Sequence, residues 1–243
     1  MPWTGTGVAA VDAVVDEAIG NGRRDDPIAS GTGGPAGNAR LTAWAGVALL
    51  ILSLAELVTV LDVSGLIGWH VGLGIVMTAL ALLKTGSTGW RIVRYYTGSL
   101  LYGRAGPPPM ILRLLGPLVV VSTLGVLGSG IALIAIGRPA GEQTWFTALG
   151  QQVSPLTLHQ AFFILFAVFV GLHVLARSVP ALLHVSGRIR RGHDRVGVPG
   201  GRARAITVLG CAIAGVLAMV FVLPVSGWDH GHFRSDRFGT HTR

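Results

Sequence analysis

Residues 66–85 read LIGWHVGLGIVMTALALLKT, a run of twenty residues in which Lys84 is the only charged one. At about 1.5 Å of rise per residue, a helix of this length spans about 30 Å, the thickness of the hydrocarbon layer of a bilayer. A helix on the surface of a soluble domain would carry a continuous polar face over such a length. The run has no such face, so it predicts a helix that crosses a membrane.

Four other apolar runs have a similar length. They are Leu41–Leu61, Leu114–Ile136, Pro155–Ser178 (behind Ser154 as the expected N-cap) and Ala205–Val225. Of the 243 residues, 51% are hydrophobic and only 12% are charged, whereas about a quarter of a soluble domain is charged. The sequence thus predicts an all-α integral membrane protein with five transmembrane helices. The segments 1–40, 181–204 and 226–243 are polar or basic and are expected outside the bilayer.

The basic residues are distributed unequally between the two sides that this topology creates. Fifteen of the nineteen Lys and Arg residues fall on the side of the N-terminal segment and of the loop 181–204. By the positive-inside rule, we expect this side in the cytoplasm and the tail 226–243 outside, with the chain in the cell membrane. The basic residues on the cytoplasmic side then account for the formal net charge of +8, and we expect no nucleic-acid partner.

Four nitrogen-bearing side chains stand out within the apolar spans: His70 and Lys84 on the second span, and His159 and His173 on the fourth. Each pair is fourteen residues apart, nearly four helical turns or ~21 Å, so its members share one face. The second and fourth spans run in the same direction. His70 is therefore expected at the depth of His159, and Lys84 at the depth of His173.

Ionisable groups are costly inside a bilayer, and each is a candidate functional residue. Two parallel helices with matched imidazoles can hold a planar iron cofactor, and haem iron accepts neutral histidine. Below His70 the same face carries the small residue Gly74, which leaves room for a macrocycle. Below His159 it carries Phe163 and Phe166, which would contact a porphyrin. This pattern indicates haem b as the cofactor.

The histidine spacing of the fourth span, facing a second span that carries ligands, resembles the four-helix membrane cytochrome b superfamily. That superfamily includes bacterial cytochrome b561 and the cytochrome b subunits of formate dehydrogenase and nickel-iron hydrogenase. The stretches Trp90–Gly98, Gly106–Pro109 and Leu112–Pro117 are also similar to a set of uncharacterised actinobacterial membrane proteins.

The resemblance covers roughly residues 41–180 and implies a four-helix cytochrome b-like bundle with the fifth helix outside it. It also implies that His70 and His159 are the ligands of the haem iron. The chain would then be an electron-transfer subunit, rather than a stand-alone enzyme, working between quinone and a redox partner protein.

Lys84 departs from this pattern, because it stands where a two-haem protein has histidine and lysine ligates iron only when neutral. We therefore expect one haem at the level of His70, with a second at the level of His173 left open. Lys84 would instead pair with a haem propionate, a quinone oxygen or a lipid phosphate, or extend towards the headgroups from a helix end.

These histidines and the other polar residues can also have purely structural roles. A histidine near a helix end can sit in the headgroup region, and His173 can hydrogen-bond to a neighbouring helix. Glu56 is expected to hydrogen-bond within the bundle, and Asp229, His230 and His232 to form part of a solvated tail. The alternative function is therefore a cofactor-free multi-pass membrane protein, either a scaffold subunit or a small-solute carrier.

Overall fold

The computed structural model describes residues 12, 15–16, 26–106, 110–185 and 197–228, the side chains of 179–185 excepted. The tail residues Asp229, His230 and His232 lie outside this part of the chain, as do residues 186–196 of the loop 181–204.

The described chain is almost entirely helical. Its elements in order are α1 (Gly34–Leu61), α2 (Val63–Tyr96), α3 (Leu100–Ala105), α4 (Met110–Gly141), β1 (Phe146–Ala148), β2 (Gln151–Val153), α5 (Pro155–Val185), α6 (Gly201–Val222) and a 3₁₀ turn (Leu223–Val225). The two strands pair as an antiparallel hairpin. Five helices, α1, α2, α4, α5 and α6, are long and apolar enough to cross a membrane. The predicted all-α membrane protein with five transmembrane helices is confirmed.

The helix ends differ from the ends of the apolar runs. α2 continues to Tyr96, eleven residues beyond Thr85, because a helix can leave the hydrocarbon layer without unwinding. Two ends of the predicted apolar runs nevertheless coincide with breaks in the helices. The backbone of α2 is non-helical at Leu66, where the second run begins. The backbone of α4 is non-helical at Gly137 (φ 75°), directly after the third run. At α5, the hydroxyl of Ser154 accepts a hydrogen bond from the Thr157 amide at 3.2 Å, which confirms the predicted N-cap.

Four of the long helices form a ring, and the fifth packs outside it. α1 lies between α2 and α5, and α4 lies between the same two helices, so α2 and α5 face each other diagonally. α6 packs mainly against α2. There, a Cβ atom on Gly215 would lie only 2.9 Å from the Cα of Val76, so glycine allows a close approach of the two backbones.

The ring has two faces, which polar contacts identify. At the first, called here the N-terminal face, Asp26 pairs with Arg91 at 2.6 Å. At the same face, Arg204 near the start of α6 donates to the carbonyls of Thr32 (3.2 Å) and Val198 (3.1 Å). The opposite face, called here the hairpin face, carries the α1–α2 connection and the β1–β2 hairpin. Helices α2 and α5 therefore both begin at the hairpin face and run parallel, as the sequence predicts.

Candidate functional site: a histidine pair between two diagonal helices

His70 of α2 and His159 of α5 meet across the interior of the ring. Their ring centroids are 6.2 Å apart, and the ring planes are almost perpendicular, at 87°. Both rings are largely but not fully buried. The matched depth expected from the sequence is thus present in the structure, and the two residues belong to one site.

His70 is held by two residues of α1. Its Nδ1 atom lies 3.0 Å from the Thr59 hydroxyl oxygen and 3.0 Å from Oε1 of Glu56. The single proton of the Thr59 hydroxyl is donated to the Glu56 carbonyl at 2.6 Å, so Thr59 can only accept from the ring. Since the Glu56 carboxylate also accepts, Nδ1 of His70 carries a proton.

His159 is held in the same way by α4. Its Nδ1 atom lies 3.0 Å from the hydroxyl oxygen of Ser129. The Ser129 proton is directed to the Gly125 carbonyl at 2.7 Å, so this hydroxyl too must accept from the ring. His159 is therefore also the tautomer with its proton on Nδ1 and a lone pair on Nε2.

This geometry fits an iron porphyrin. A histidine that ligates a metal usually donates its other ring N–H to an oxygen acceptor, which fixes the tautomer and the ring orientation. Two imidazoles bound to one iron through bonds of ~2 Å have ring centroids ~6 Å apart, close to the observed 6.2 Å. No group of three or more His, Cys, Asp or Glu side chains converges as a metal site within the described part of the chain. A porphyrin iron needs only two protein ligands, because the macrocycle supplies four nitrogen atoms.

Two glycines lie against residues of the histidine site. A Cβ atom on Gly130 of α4 would lie 3.3 Å from Cε1 of His159, so the ring fits closely over this glycine. Gly74 lies beside Glu56, and a Cβ atom there would lie 3.9 Å from Oε1. Phe163 and Phe166 are half-buried on α5, and their contact with a cofactor stays a prediction. It is Phe162, which sequence reasoning missed, that packs directly against Gly125.

Glu56 hydrogen-bonds within the bundle, as expected, but only through one of its oxygens. Its Oε2 atom is buried and has no hydrogen-bond partner among the described residues. A buried carboxylate oxygen without a partner is costly. A positive charge near His70 would reduce that cost.

A second polar level lies nearer the N-terminal face. Lys84 Nζ donates to the Thr42 carbonyl at 3.4 Å and lies over Gly46, 3.0 Å from the position of a Cβ atom. His173 is eighteen residues beyond Pro155 on α5, and Lys84 is eighteen residues beyond the kink of α2 at Leu66. The two residues therefore lie at a similar depth, as the spacing predicts. Lys84 is not at a helix end, because α2 continues for twelve residues beyond it.

Thr59 and Ser129 are site residues that sequence reasoning missed. Serine and threonine in transmembrane helices commonly bond to a carbonyl of their own helix, and both residues do so here. Their sequence pattern is therefore the same whether or not a histidine lies beside them.

No family model matches the chain, and comparisons with curated proteins and with solved structures find no match either.

Proposed function

We propose that the chain is a membrane-bound b-type cytochrome that binds one haem b between α2 and α5, with Nε2 of His70 and of His159 as the axial ligands. The observation that carries the proposal is the pair of imidazoles with protonated Nδ1 atoms and ring centroids 6.2 Å apart. Each ring is held through its Nδ1 atom by acceptors on a different neighbouring helix.

The neighbouring residues have distinct roles in this proposal. Glu56, Thr59 and Ser129 hold the two imidazoles in one tautomer and one orientation, which raises the basicity of the ligand nitrogens. Gly74, Phe163 and Phe166 surround the macrocycle. The bound haem supplies reversible one-electron chemistry, and the protein sets its potential through the axial ligands and the charges around them.

The position of the pair along α2 indicates where electrons are exchanged. His70 is seven residues from the start of α2, about 10 Å along the helix axis. A haem at this level lies close to the hairpin face, where a redox partner protein can approach, and within the apolar layer that quinone reaches. By the charge distribution, this face is the external one.

The residues at the depth of Lys84 favour one haem per chain over two. They offer one imidazole, His173, and an amine that is already directed at the Thr42 carbonyl. The ~21 Å of helix between His70 and Lys84 also exceeds the reach of a porphyrin side chain, so Lys84 is poorly placed to bind a propionate of the same haem.

The test is the dithionite-reduced minus oxidised absorbance spectrum of the purified protein, with haem and protein quantified. We expect a b-type α-band and one haem per chain in the wild type. H70A and H159A should each lose the haem or convert it to a high-spin form, whereas H173A, on the same helix as His159, should keep it. A folded wild-type protein that stays haem-free after expression with ample haem would overturn the proposal.

A further inference from the structure

The last turns of α2 carry an exposed apolar stripe that the proposed haem site does not use. Ile92, Val93 and Tyr96 are each more than half exposed. Together with Gly89 they are spaced i, i+3, i+4 and i+7, so the four residues lie on one face of the helix. A Cβ atom on Gly89 would have no heavy atom within 4 Å among the described residues. A second helix can therefore approach this stripe closely, and it is called here the α2 seam.

Most of the α2 seam lies beyond the lipid. The apolar run of α2 begins at the kink at Leu66, and a hydrocarbon layer of ~30 Å then ends about twenty residues later, near Gly86. Ile92 and Tyr96 are about 9 Å and about 15 Å beyond this boundary, whereas the headgroup layer is only ~5–8 Å thick. An apolar stripe in that position faces water, and such a stripe is typical of a surface that binds the apolar face of another helix.

The surroundings of the α2 seam are basic. No Asp or Glu occurs between residues 63 and 141, whereas the same stretch contains one Lys and five Arg residues. Arg94 is exposed beside the stripe, and its guanidinium carbon lies 5.6 Å from the ring centroid of Trp90. Charge complementarity therefore favours a partner whose apolar face is flanked by carboxylates.

The N-terminal segment of the same chain has this pattern. Its apolar residues recur at helical spacing: Val8, Val11, Val14, Val15 and Ala18. Its acidic residues flank or oppose that face of a helix: Asp12, Asp16 and Glu17. In the described part of this segment, Asp12, Val15 and Asp16 are helical and exposed. The segment therefore offers an amphipathic helix with an acidic polar side.

Asp26 holds the end of this segment next to the α2 seam. Its carboxylate is 5% exposed and accepts a hydrogen bond from the Arg91 guanidinium at 2.6 Å, one residue before Ile92. The eight residues from Ala18 to Asp26 span up to ~26 Å when extended, and the seam is only ~10 Å long. The segment can therefore reach the seam without a change in any described element.

We infer that residues 8–18 form an amphipathic helix that docks on the α2 seam of the same chain. Its valines pack against Ile92, Val93 and Tyr96, and its carboxylates lie beside Arg94. This contact is at the N-terminal face, contains no residue of the histidine pair and does not depend on haem. A second copy of the chain carries the same segment, and the experiment distinguishes the two sources.

The experiment is disulfide cross-linking of V15C with V93C in the full chain, in a C211S background, with peptide mass spectrometry as the readout. We expect a disulfide within one chain. D12R and D16R together should lower its yield about tenfold, because two repulsive contacts with the basic surface replace two attractive ones. The matched control pairs V15C with L149C, since Leu149 is fully exposed but lies at the hairpin face. This pair should give no disulfide within a chain.

Absence of the V15C–V93C disulfide, or an equal yield from the control pair, would overturn the inference. Disulfides that form only between isotopically light and heavy chains would assign the seam to a second copy and contradict docking within one chain. Quenching of a fluorophore on V93C by lipids with nitroxide-labelled headgroups would show that the membrane covers the stripe, which also contradicts the inference. All variants keep the histidine site intact, so these outcomes are independent of whether the chain binds haem.

Discussion

His159 of α5 donates from Nδ1 to the hydroxyl oxygen of Ser129 on α4, with 3.0 Å between the two atoms. Because Ser129 directs its own proton to the Gly125 carbonyl, this bond fixes which ring nitrogen of His159 is protonated. The hydroxyl of Ser129 thus determines that Nδ1 of His159, and not Nε2, is the nitrogen engaged by α4.

Replacing Ser129 with alanine should weaken haem binding about 10-fold or more, because loss of an outer-sphere partner of a metal-binding histidine typically costs 10- to 100-fold in affinity. The measurement is haem retention during dilution of the purified protein. S122A is the control: Ser122 is on the same helix, is 2% exposed and bonds to the Val119 carbonyl of its own helix. Equal haem loss in the two variants would contradict the role of Ser129.

E56Q should raise the midpoint potential of the haem. The Glu56 carboxylate lies against His70, and its negative charge stabilises the ferric state more than the ferrous state. Removal of one negative charge at this distance, at an intermediate dielectric constant, shifts the midpoint potential by on the order of 50 mV. Redox titration of the α-band at one pH measures the shift. A potential that is unchanged or lower would contradict this role of Glu56.

Two glycines of α6 should respond oppositely to alanine. A Cβ atom on Gly215 would lie 2.9 Å from the Val76 Cα, whereas Gly210 has nothing within 4 Å. G215A should therefore lower the free energy of unfolding by about 1–3 kcal/mol through overpacking, and G210A should leave it unchanged or raise it through helix propensity. Thermal unfolding in detergent measures both. Equal effects would contradict the close packing of α6 on α2.

The orientation in the membrane can be tested with single cysteines in a C211S background. Leu149 at the tip of the hairpin is fully exposed, and Arg104 is exposed at the N-terminal face. We expect L149C to react with a membrane-impermeant maleimide in intact cells, and R104C to react only after permeabilisation. The reverse labelling pattern would overturn the topology inferred from the positive-inside rule.

The sequence was sufficient to predict the five spans and the meeting of His70 with His159. The reason is that each histidine lies at a similar distance from the start of its apolar run, and the runs are parallel. The end of α2 at Tyr96 was not predictable from hydropathy, which delimits the hydrocarbon layer rather than the helix. Ser129 was not predictable either, since Ser122 on the same helix also bonds to a carbonyl of its own helix and has no histidine beside it.

The diagonal arrangement of α2 and α5 has a consequence for how the protein assembles. α1, α2 and α6 pack closely as one group, and α4 and α5 as another, and the contacts between the two groups are fewer. His70 belongs to the first group and His159 to the second. A ligand bound by both residues would join the two groups, and its binding energy would add directly to the free energy of unfolding of the protein.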